Sequence, residues 1–427
     1  MYKPVSTIEV RAWGELVGAA ARDPHLGYYA FEFAPAFLKL GIELAPLTMP
    51  LREASQPFIF PDLPELTYQR LPAMLADSLP DDFGNGLVNA WMASQGVARS
   101  EITALDRLAY MGRRGIGALE FRPARGSHKS GATALSLATL VESARRVVHG
   151  EIDDDPHAEA ALRQLLSVGT SAGGARAKAA IAWNPATQEI RGGQFDIEPG
   201  FEHWLLKFDG IGRDRELGES LGYGRIEYAY HLMAVRAGID MTDCRLLEEN
   251  GRAHFMTRRF DRGGNEKIHM QTLCGIAQLD YKAKGVHDYS EYLGVIRELA
   301  IGLEAMEQAF RRIAFNVLAC NCDDHTKNFS FLLRDRRHWS LAPAYDLIYA
   351  FNPKGEWTYQ HLTSVNGRFN DIRREDLLVL ADRFEIGRAA TLLTEVGAAV
   401  SAWPEFAQRA GVARAAVERI SAQHRIL

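Results

Sequence analysis

The chain has 427 residues, 47% hydrophobic and 24% charged, a balance ordinary for a globular protein and a length that fits two or three subdomains better than one core. The formal net charge of −5 gives no reason to expect non-specific nucleic-acid binding, although short basic stretches occur at residues 122–129 and 334–338. Four cysteines (Cys244, Cys274, Cys320, Cys322) do not make a disulfide framework, and no apolar run approaches the roughly 18 residues that a bilayer span needs, so no membrane association is expected.

The opening MYKPVSTIEVRAWGEL lacks a basic region followed by an apolar core, so no signal peptide is expected. Up to about residue 60, aromatic and β-branched residues alternate with glycine punctuation, which predicts strands. LPELTYQRLPAMLADSLPDDFGNGLVNAWMASQG predicts helices broken by prolines and glycines. ALDRLAYMG predicts a short helix closed by Gly112, and GALEFRPA a strand running into a turn. SHKSGATALSLATLVESARRVVHGEIDDDPHAEAALRQLLSVGT reads as two helices joined by an acidic turn at residues 153–156, and a domain boundary is expected near residue 140.

GTSAGGARAKAAIAW reads as a glycine-rich loop entering a strand, NPATQ as a turn, and HWLLKF as a strand ending near Lys207. YGRIEYAYHLMAVRAG has apolar residues at 226, 229, 230, 233 and 237, a helical spacing with Gly238 as its stop. AHFMTRRFDR is a further strand, so residues 169–262 read as a small sheet with one helix. Beyond residue 265 the chain is mainly helical. EAMEQAFRRIAFNVLACN places apolar residues at 306, 310, 313, 314, 317 and 318 on one helix face. A polar loop, the strand FSFLL, the turn RDRRH and the strand WSLAPAYDL follow.

The polar loop, NCDDHTKNF at residues 321–329, carries the chemistry. Phosphoryl transfer needs a carboxylate to orient the attacking hydroxyl, an asparagine and a second carboxylate for magnesium, a lysine for the phosphates, and loop amides to cradle them. Asp323 and Asn328 are five residues apart, the spacing of the catalytic Asp and metal-binding Asn in protein kinases, and a hairpin then leads to Asp346. Upstream, the loop at residues 169–175, Lys207 and Glu227 follow in kinase order. Other readings stand beside these. Asp324 reads as a cap or a solvent-exposed residue. Glu227 reads equally as a partner of Lys207 and as solvated surface, and Arg259 with Asp261 equally as a structural salt bridge and as ligand contacts. Cys320 and Cys322 beside His325 suggest a metal, but the spacing is not a usual zinc knuckle and buried thiols at a helix end are the plainer reading. No Gly-Lys-Ser/Thr follows the glycine-rich loop, so it is not a Walker A loop.

The blocks TSAGGARAKA, LLKF, IEYAYHLMAVRAGI, RRFDR, NCDDHTKNFSFLL and LAPAYDL, in this order, resemble the HipA family of bacterial serine/threonine kinases, the toxin half of HipA–HipB toxin–antitoxin pairs. LTMPL, LADSLPDDFGN and LDRLAYMGRRGIGALEF look like the family's N-terminal domain, so the resemblance covers nearly the whole chain. It implies an α+β, two-lobed protein-kinase-like fold. A small β-rich N-terminal domain (residues 1–140) would precede a kinase N-lobe with glycine-rich loop and nucleotide lysine (141–265) and a mainly helical C-lobe with the catalytic loop (266–427).

The resemblance also implies the use of ATP and Mg2+. Asp323 takes the place of the catalytic aspartate, with Lys207 and His325 in the active site. Asn328 and Asp346 would ligate magnesium. Gly173, Gly174, Ala175 and Lys178 of the loop, with Lys207, His325 and Lys327, would approach the nucleotide phosphates, and the adenine would lie against residues 257–260, including Phe260. Ser171 takes the place of the serine whose autophosphorylation silences the kinase, with Thr170 an alternative hydroxyl. Implied partners are a HipB-like helix-turn-helix antitoxin, operator DNA reached mainly through it, and a protein substrate such as glutamyl-tRNA synthetase or another aminoacyl-tRNA synthetase. The implied effect is growth arrest with multidrug tolerance, and the cysteine usage with no expected signal peptide or span reads as a cytoplasmic setting. Asn321-Cys322-Asp323 and Asp346-Leu347-Ile348 depart from the ordinary kinase His-Arg-Asp and Asp-Phe-Gly, in agreement with HipA. The loop reads Gly-Gly-Ala-Arg-Ala-Lys where some members have Ala-Gly-Ala-Gln-Glu-Lys, which leaves open whether Arg176 or Lys178 engages phosphate. The alternatives are a catalytically silent co-repressor that binds the antitoxin, and a kinase of a small-molecule hydroxyl.

Overall fold

The computed structural model describes residues 2–426 except 24, 126–135, 150–175, 195, 212, 215–217 and 220–221. Thr170, Ser171, Gly173, Gly174 and Ala175 therefore lie outside the described residues. The chain divides into two units, one of residues 1–212, 258–280 and 332–338, the other of residues 213–257, 281–331 and 339–427.

In the first unit, β1 (Thr7–Ala12) buries Ile8, Val10 and Ala12 on one face and leaves the alternate residues outward. It pairs antiparallel with β2 (Glu15–Arg22) across Trp13 and Gly14, whose φ angles of 52° and 84° suit a tight hairpin turn. With β3 (Tyr29–Phe33) and β4 (Glu120–Arg122) they form a sheet ordered β3-β2-β1-β4. Gly18 is where a side chain is not tolerated, because a Cβ there would overlap the Glu32 carbonyl of β3. The prolines expected to break the next stretch start its short helices: Pro64 precedes Glu65–Tyr68 and Pro72 precedes Ala73–Ala76. Asp81, after Pro80, caps the helix Asp82–Ser94 by accepting from the Gly84 N–H at 2.6 Å. The helix Ala104–Met111 has a Thr103/Asp106 capping box, and Gly112 (φ 51°) ends it as expected.

A further helix of this unit spans Leu137–His149, and three antiparallel strands follow: β5 (Lys178–Trp183), β6 (Ile190–Gly192) and β7 (Glu202–Lys207). All six residues of β5 are buried, and after Lys178 the strand is a continuous apolar run rather than an alternation.

In the second unit, the helix Tyr223–Arg236 begins at Gly222 and is followed by Gly238 at φ 75°, the expected stop. The strands Cys244–Glu249 and Arg252–Arg258 form a hairpin. Gly224 lies so close to the Ala253 carbonyl that no Cβ fits between them. The helix Leu303–Leu318 buries every apolar residue expected on its inner face. It also buries Arg312, Phe315 and Asn316, so its last two turns are enclosed on all sides. It packs against Tyr289–Glu298 and Ala389–Ser401, and Arg374–Arg383, Trp403–Arg409 and Arg414–Ser421 complete the helical set. No helix among the described residues is long and apolar enough to cross a membrane.

Candidate active site

A helix leaves its last carbonyls unpaired, and here the chain's own tail satisfies them. The Arg425 N–H donates to the Leu318 carbonyl at 2.8 Å. The Tyr230 hydroxyl donates to the Ala319 carbonyl at 2.6 Å and lies 2.9 Å from His424 Nε2. Cys320 then turns the chain in the left-handed region (φ 53°), its Sγ 2.9 Å from the Gln423 carbonyl. The polar loop emerges from this anchored end.

The loop runs beside the segment that carries Asp346. The Cys322 N–H donates to the Ala350 carbonyl at 3.0 Å and the Ala350 N–H to the Cys320 carbonyl at 3.1 Å. The Asn321 amide donates to Asn316 Oδ1 at 2.9 Å and to the Asp346 carbonyl at 3.3 Å. Asp346 itself sits at φ 52°, a conformation unfavourable to a non-glycine residue and common at functional sites. The Tyr345 hydroxyl donates to the Lys327 carbonyl at 2.7 Å, a second tie between the two segments.

Two adjacent carboxylates meet opposite fates. The Asp323 side chain is 49% exposed, with Oδ1 3.8 Å from His325 Nε2. The Asn328 amide donates to the Asp323 carbonyl at 2.7 Å and the Asn328 N–H to the His325 carbonyl at 2.9 Å, so the loop closes on itself across the five-residue interval. Asp324 is buried. Its Oδ2 accepts from the Tyr289 hydroxyl at 2.7 Å and lies 2.7 Å from His361 Nδ1. Its Oδ1 accepts the N–H groups of Leu362 at 2.7 Å and Thr363 at 3.3 Å. The expectation of a solvent-exposed Asp324 is thus corrected: it accepts turn amides as a cap does, but from a site closed to water. Tyr289 in turn accepts from the Asn316 amide at 3.0 Å, which ties this hub to the helix. Sequence reasoning missed Tyr289 and His361, since both lie more than thirty residues from Asp324.

Elsewhere the expected residues land as follows. Lys207 is the last residue of β7, half-buried, as its position after an apolar run predicts. Lys178 is its directly opposed cross-strand partner and shares its face. Lys178 is buried, its ammonium 3.0 Å from Asp81 Oδ2. Burial pushes the Asp81 carboxyl up from its ordinary value and Lys178 only partly offsets this. Glu227 is buried on its helix, which corrects the solvated-surface reading. Phe260 lies half-buried after the strand Arg252–Arg258, and the neighbouring Arg259 N–H donates to the His203 carbonyl at 2.9 Å.

RRFDR forms a structural cluster. Arg259 contacts Asp261 bidentately at 2.9 and 2.7 Å, Arg262 reaches the same carboxylate at 2.7 Å, and the Gly117 N–H donates to it at 2.8 Å. Burial pushes the Cys320 thiol up to about 11 and the Cys322 thiol higher still. Both side chains are buried thiols at the helix end, the plainer of the two readings.

Magnesium takes oxygen ligands, often one or two carboxylates with substrate phosphates and waters. The Asn328 amide group donates to the Asp323 carbonyl, so its oxygen would be the ligand atom, and Asp346 would supply carboxylate oxygens. In donor chemistry these two residues fit such an ion. Among the described residues no cluster of three or more His, Cys, Asp or Glu could hold a metal by itself.

Residues 170–424 match the family model described as HipA-like C-terminal domain, and residues 8–122 that of the HipA N-terminal domain. A provisionally named kinase of Sinorhizobium fredii, Y4dM, is 29% identical over 138 residues, which cover 29% of this chain and 33% of that protein. A provisionally named kinase of Haemophilus influenzae is 31% identical over 103 residues, covering 22% and 30%. The chain thus spans about a third of the length of the curated relatives it matches. Among solved structures, the Shewanella oneidensis HipA, HipB and operator DNA complex includes a chain with TM-score 0.66 at 16% identity, covering 97% of this chain and 94% of that one. At that identity the likeness speaks to the fold, which is mixed helix and sheet in both.

Proposed function

The chain belongs to the HipA family, and on that premise we propose that it is an ATP- and Mg2+-dependent protein serine/threonine kinase acting in the cytoplasm. It would be the toxin partner of a small HipB-like helix-turn-helix antitoxin that carries it to operator DNA. The protein substrate would be a component of translation, such as an aminoacyl-tRNA synthetase. The observation that carries this reading is the loop geometry: a half-exposed Asp323 whose carbonyl is held by Asn328, on a segment bonded to the backbone of Asp346.

Asp323 accepts the proton of the substrate hydroxyl as its oxygen bonds to the γ-phosphorus. The bond to the bridging oxygen breaks and ADP leaves. His325, Lys327 and Lys207 meet the phosphate charge, and the backbone of residues 257–260 takes the adenine. Magnesium, held by Asn328 and Asp346, would neutralise charge on the phosphate oxygens. Asp324 keeps Asp323 in place by fixing the next residue in a closed hydrogen-bonded site. Phosphorylation of Ser171, with Thr170 as the alternative, would add about two negative charges beside the phosphate site and silence the enzyme. Lys178 would anchor the end of the glycine-rich loop through Asp81, leaving phosphate to the loop amides and Lys207.

The test is incubation with γ-labelled ATP and magnesium. Label should appear on the wild type, be absent from Asp323→Asn, and be lost or moved in Ser171→Ala. A wild type that binds ATP, starts unphosphorylated and takes no label would discard the protein-kinase reading.

A further inference from the structure

Tyr281 lies beside the loop that carries Asp323, and the mechanism above does not use it. The Lys327 ammonium is 4.8 Å from the centroid of its ring and the Lys282 ammonium 5.6 Å. The His325 ring packs against it too, centroids 5.4 Å apart and planes at 60°. Three nitrogen-bearing side chains therefore gather around one half-buried aromatic ring, and two of them lie within five residues of the catalytic aspartate.

We propose that Tyr281 is a positioning residue of the phosphotransfer site, whose ring holds the ammonium groups of Lys327 and Lys282 for the nucleotide phosphates, and that Lys282 is a further phosphate-binding cation. The inference rests on the kinase reading of this loop. A lysine side chain loses much rotamer freedom when it is fixed, so an unassisted ammonium is a loose phosphate ligand. Lys327 is fixed at both ends. Its carbonyl accepts from the Tyr345 hydroxyl at 2.7 Å, and its ammonium rests over the Tyr281 ring. The electron-rich ring face attracts a cation. It carries no full charge, so two ammonium groups beside it still repel each other. That arrangement favours an anion with several charges, and a triphosphate is the anion that a kinase loop would receive.

Steady-state kinetics on Tyr281→Leu, Tyr281→Phe and Lys282→Met separate positioning from scaffolding. Cation–π contacts of this kind correspond to a factor of roughly two to five each. Tyr281→Leu should therefore raise KM for ATP about three- to tenfold while kcat and the melting temperature hold. Tyr281→Phe keeps the ring face and should return KM to near the wild-type value. Lys282→Met should raise KM and weaken its dependence on salt. Equal behaviour of the Leu and Phe variants, or a fall in kcat and melting temperature with KM unchanged, overturns the proposal.

Amine acylation read by mass spectrometry supplies a readout without turnover. ATP should slow acylation of Lys282 and Lys327 in the wild type. Without ATP, both should react about two- to fivefold faster in Tyr281→Leu than in Tyr281→Phe. A wild type that transfers no phosphate overturns the kinase reading and the phosphate role with it. Phosphate transfer by a wild type whose lysines neither are protected by ATP nor respond to Tyr281→Leu overturns the positioning inference alone.

Discussion

Asp261 and Asp324 are both buried carboxylates, 3% and 1% exposed, and they are kept charged or bonded in different ways. Asp261 faces two guanidinium groups, and only the Gly117 N–H is a neutral donor. Asp324 faces a phenol, an imidazole and two backbone amides. Burial pushes the Asp261 carboxyl up, but Arg259 and Arg262 outweigh it and hold it well below the usual carboxylate range. The first region is a charge-compensated staple in which one carboxylate ties residues 259–262 to Gly117. The second is a hydrogen-bonded hub placed directly after Asp323, the residue proposed above as the catalytic base. A buried carboxyl group can thus be held by opposite charges or by a closed set of hydrogen-bond donors.

The largest expected effect comes from removing the charge in the first region. Asp261→Asn leaves two buried guanidiniums facing a neutral amide and should cost on the order of 3–5 kcal/mol, read as a drop in urea midpoint. Asp324→Asn should cost less, about 1.5–3 kcal/mol, because it weakens hydrogen bonds from a phenol, an imidazole and two backbone amides and strands no guanidinium. Its phosphotransfer rate should nonetheless fall, whereas Asp261→Asn protein that remains folded should retain kcat. Equal stability costs would end the distinction between staple and hub.

Acid sharpens the same contrast. The folded pKa of Asp261 is depressed, so its stabilisation is present above the unfolded value of about 3.9 and is lost only as pH falls through the lower folded value. Buried neutral histidines act earlier. Desolvation lowers His203, His269 and His424 to about 4 each, so the unfolded chain binds more protons between about 6.5 and 4 and stability falls across that window. Wild type and Asp261→Asn should therefore lose stability in parallel from pH 6.5 to 4 and converge only below it. Convergence near pH 6 would refute the assignment of a depressed pKa to Asp261.

The two regions also differ in how much of them is legible in the sequence. RRFDR places opposite charges within a few residues of each other, so the salt bridge is among its readings from the start. The helix face of Leu303–Leu318, the strand ending at Lys207, and the five-residue interval from Asp323 to Asn328 are local patterns and appear as expected. Asp324 is not legible. Its partners Tyr289, His361, Leu362 and Thr363 come from distant segments, and an aspartate in a polar loop more often meets water. Lys178 shows the same limit. A lysine after a glycine-rich loop suggests phosphate, and only the fold brings Asp81 to it from nearly a hundred residues upstream. Tyr281 carries no signal of its own, since a lone tyrosine before a basic pair is a common surface pattern.

Smaller changes test whether burial, rather than charge or hydrogen bonding as such, makes these contacts count. Tyr289→Phe removes one donor to Asp324 and the acceptor of the Asn316 amide, both buried, and should cost about 1–2 kcal/mol with a modest loss of phosphotransfer. The Arg414–Glu418 pair, at 2.7 Å, is as close as the buried Arg259–Asp261 pair, yet its side chains are 92% and 64% exposed. Water screens both charges, and fixing two long side chains consumes much of what attraction remains. The order is also the weaker one on a helix, with the basic residue four positions ahead of the acidic one. Arg414→Ala should therefore leave the urea midpoint within experimental error. A shift approaching that of Tyr289→Phe would mean that opposite charge stabilises this chain whether or not water is excluded, and the weight assigned to burial at Asp261 would have to be reassigned to the charges themselves.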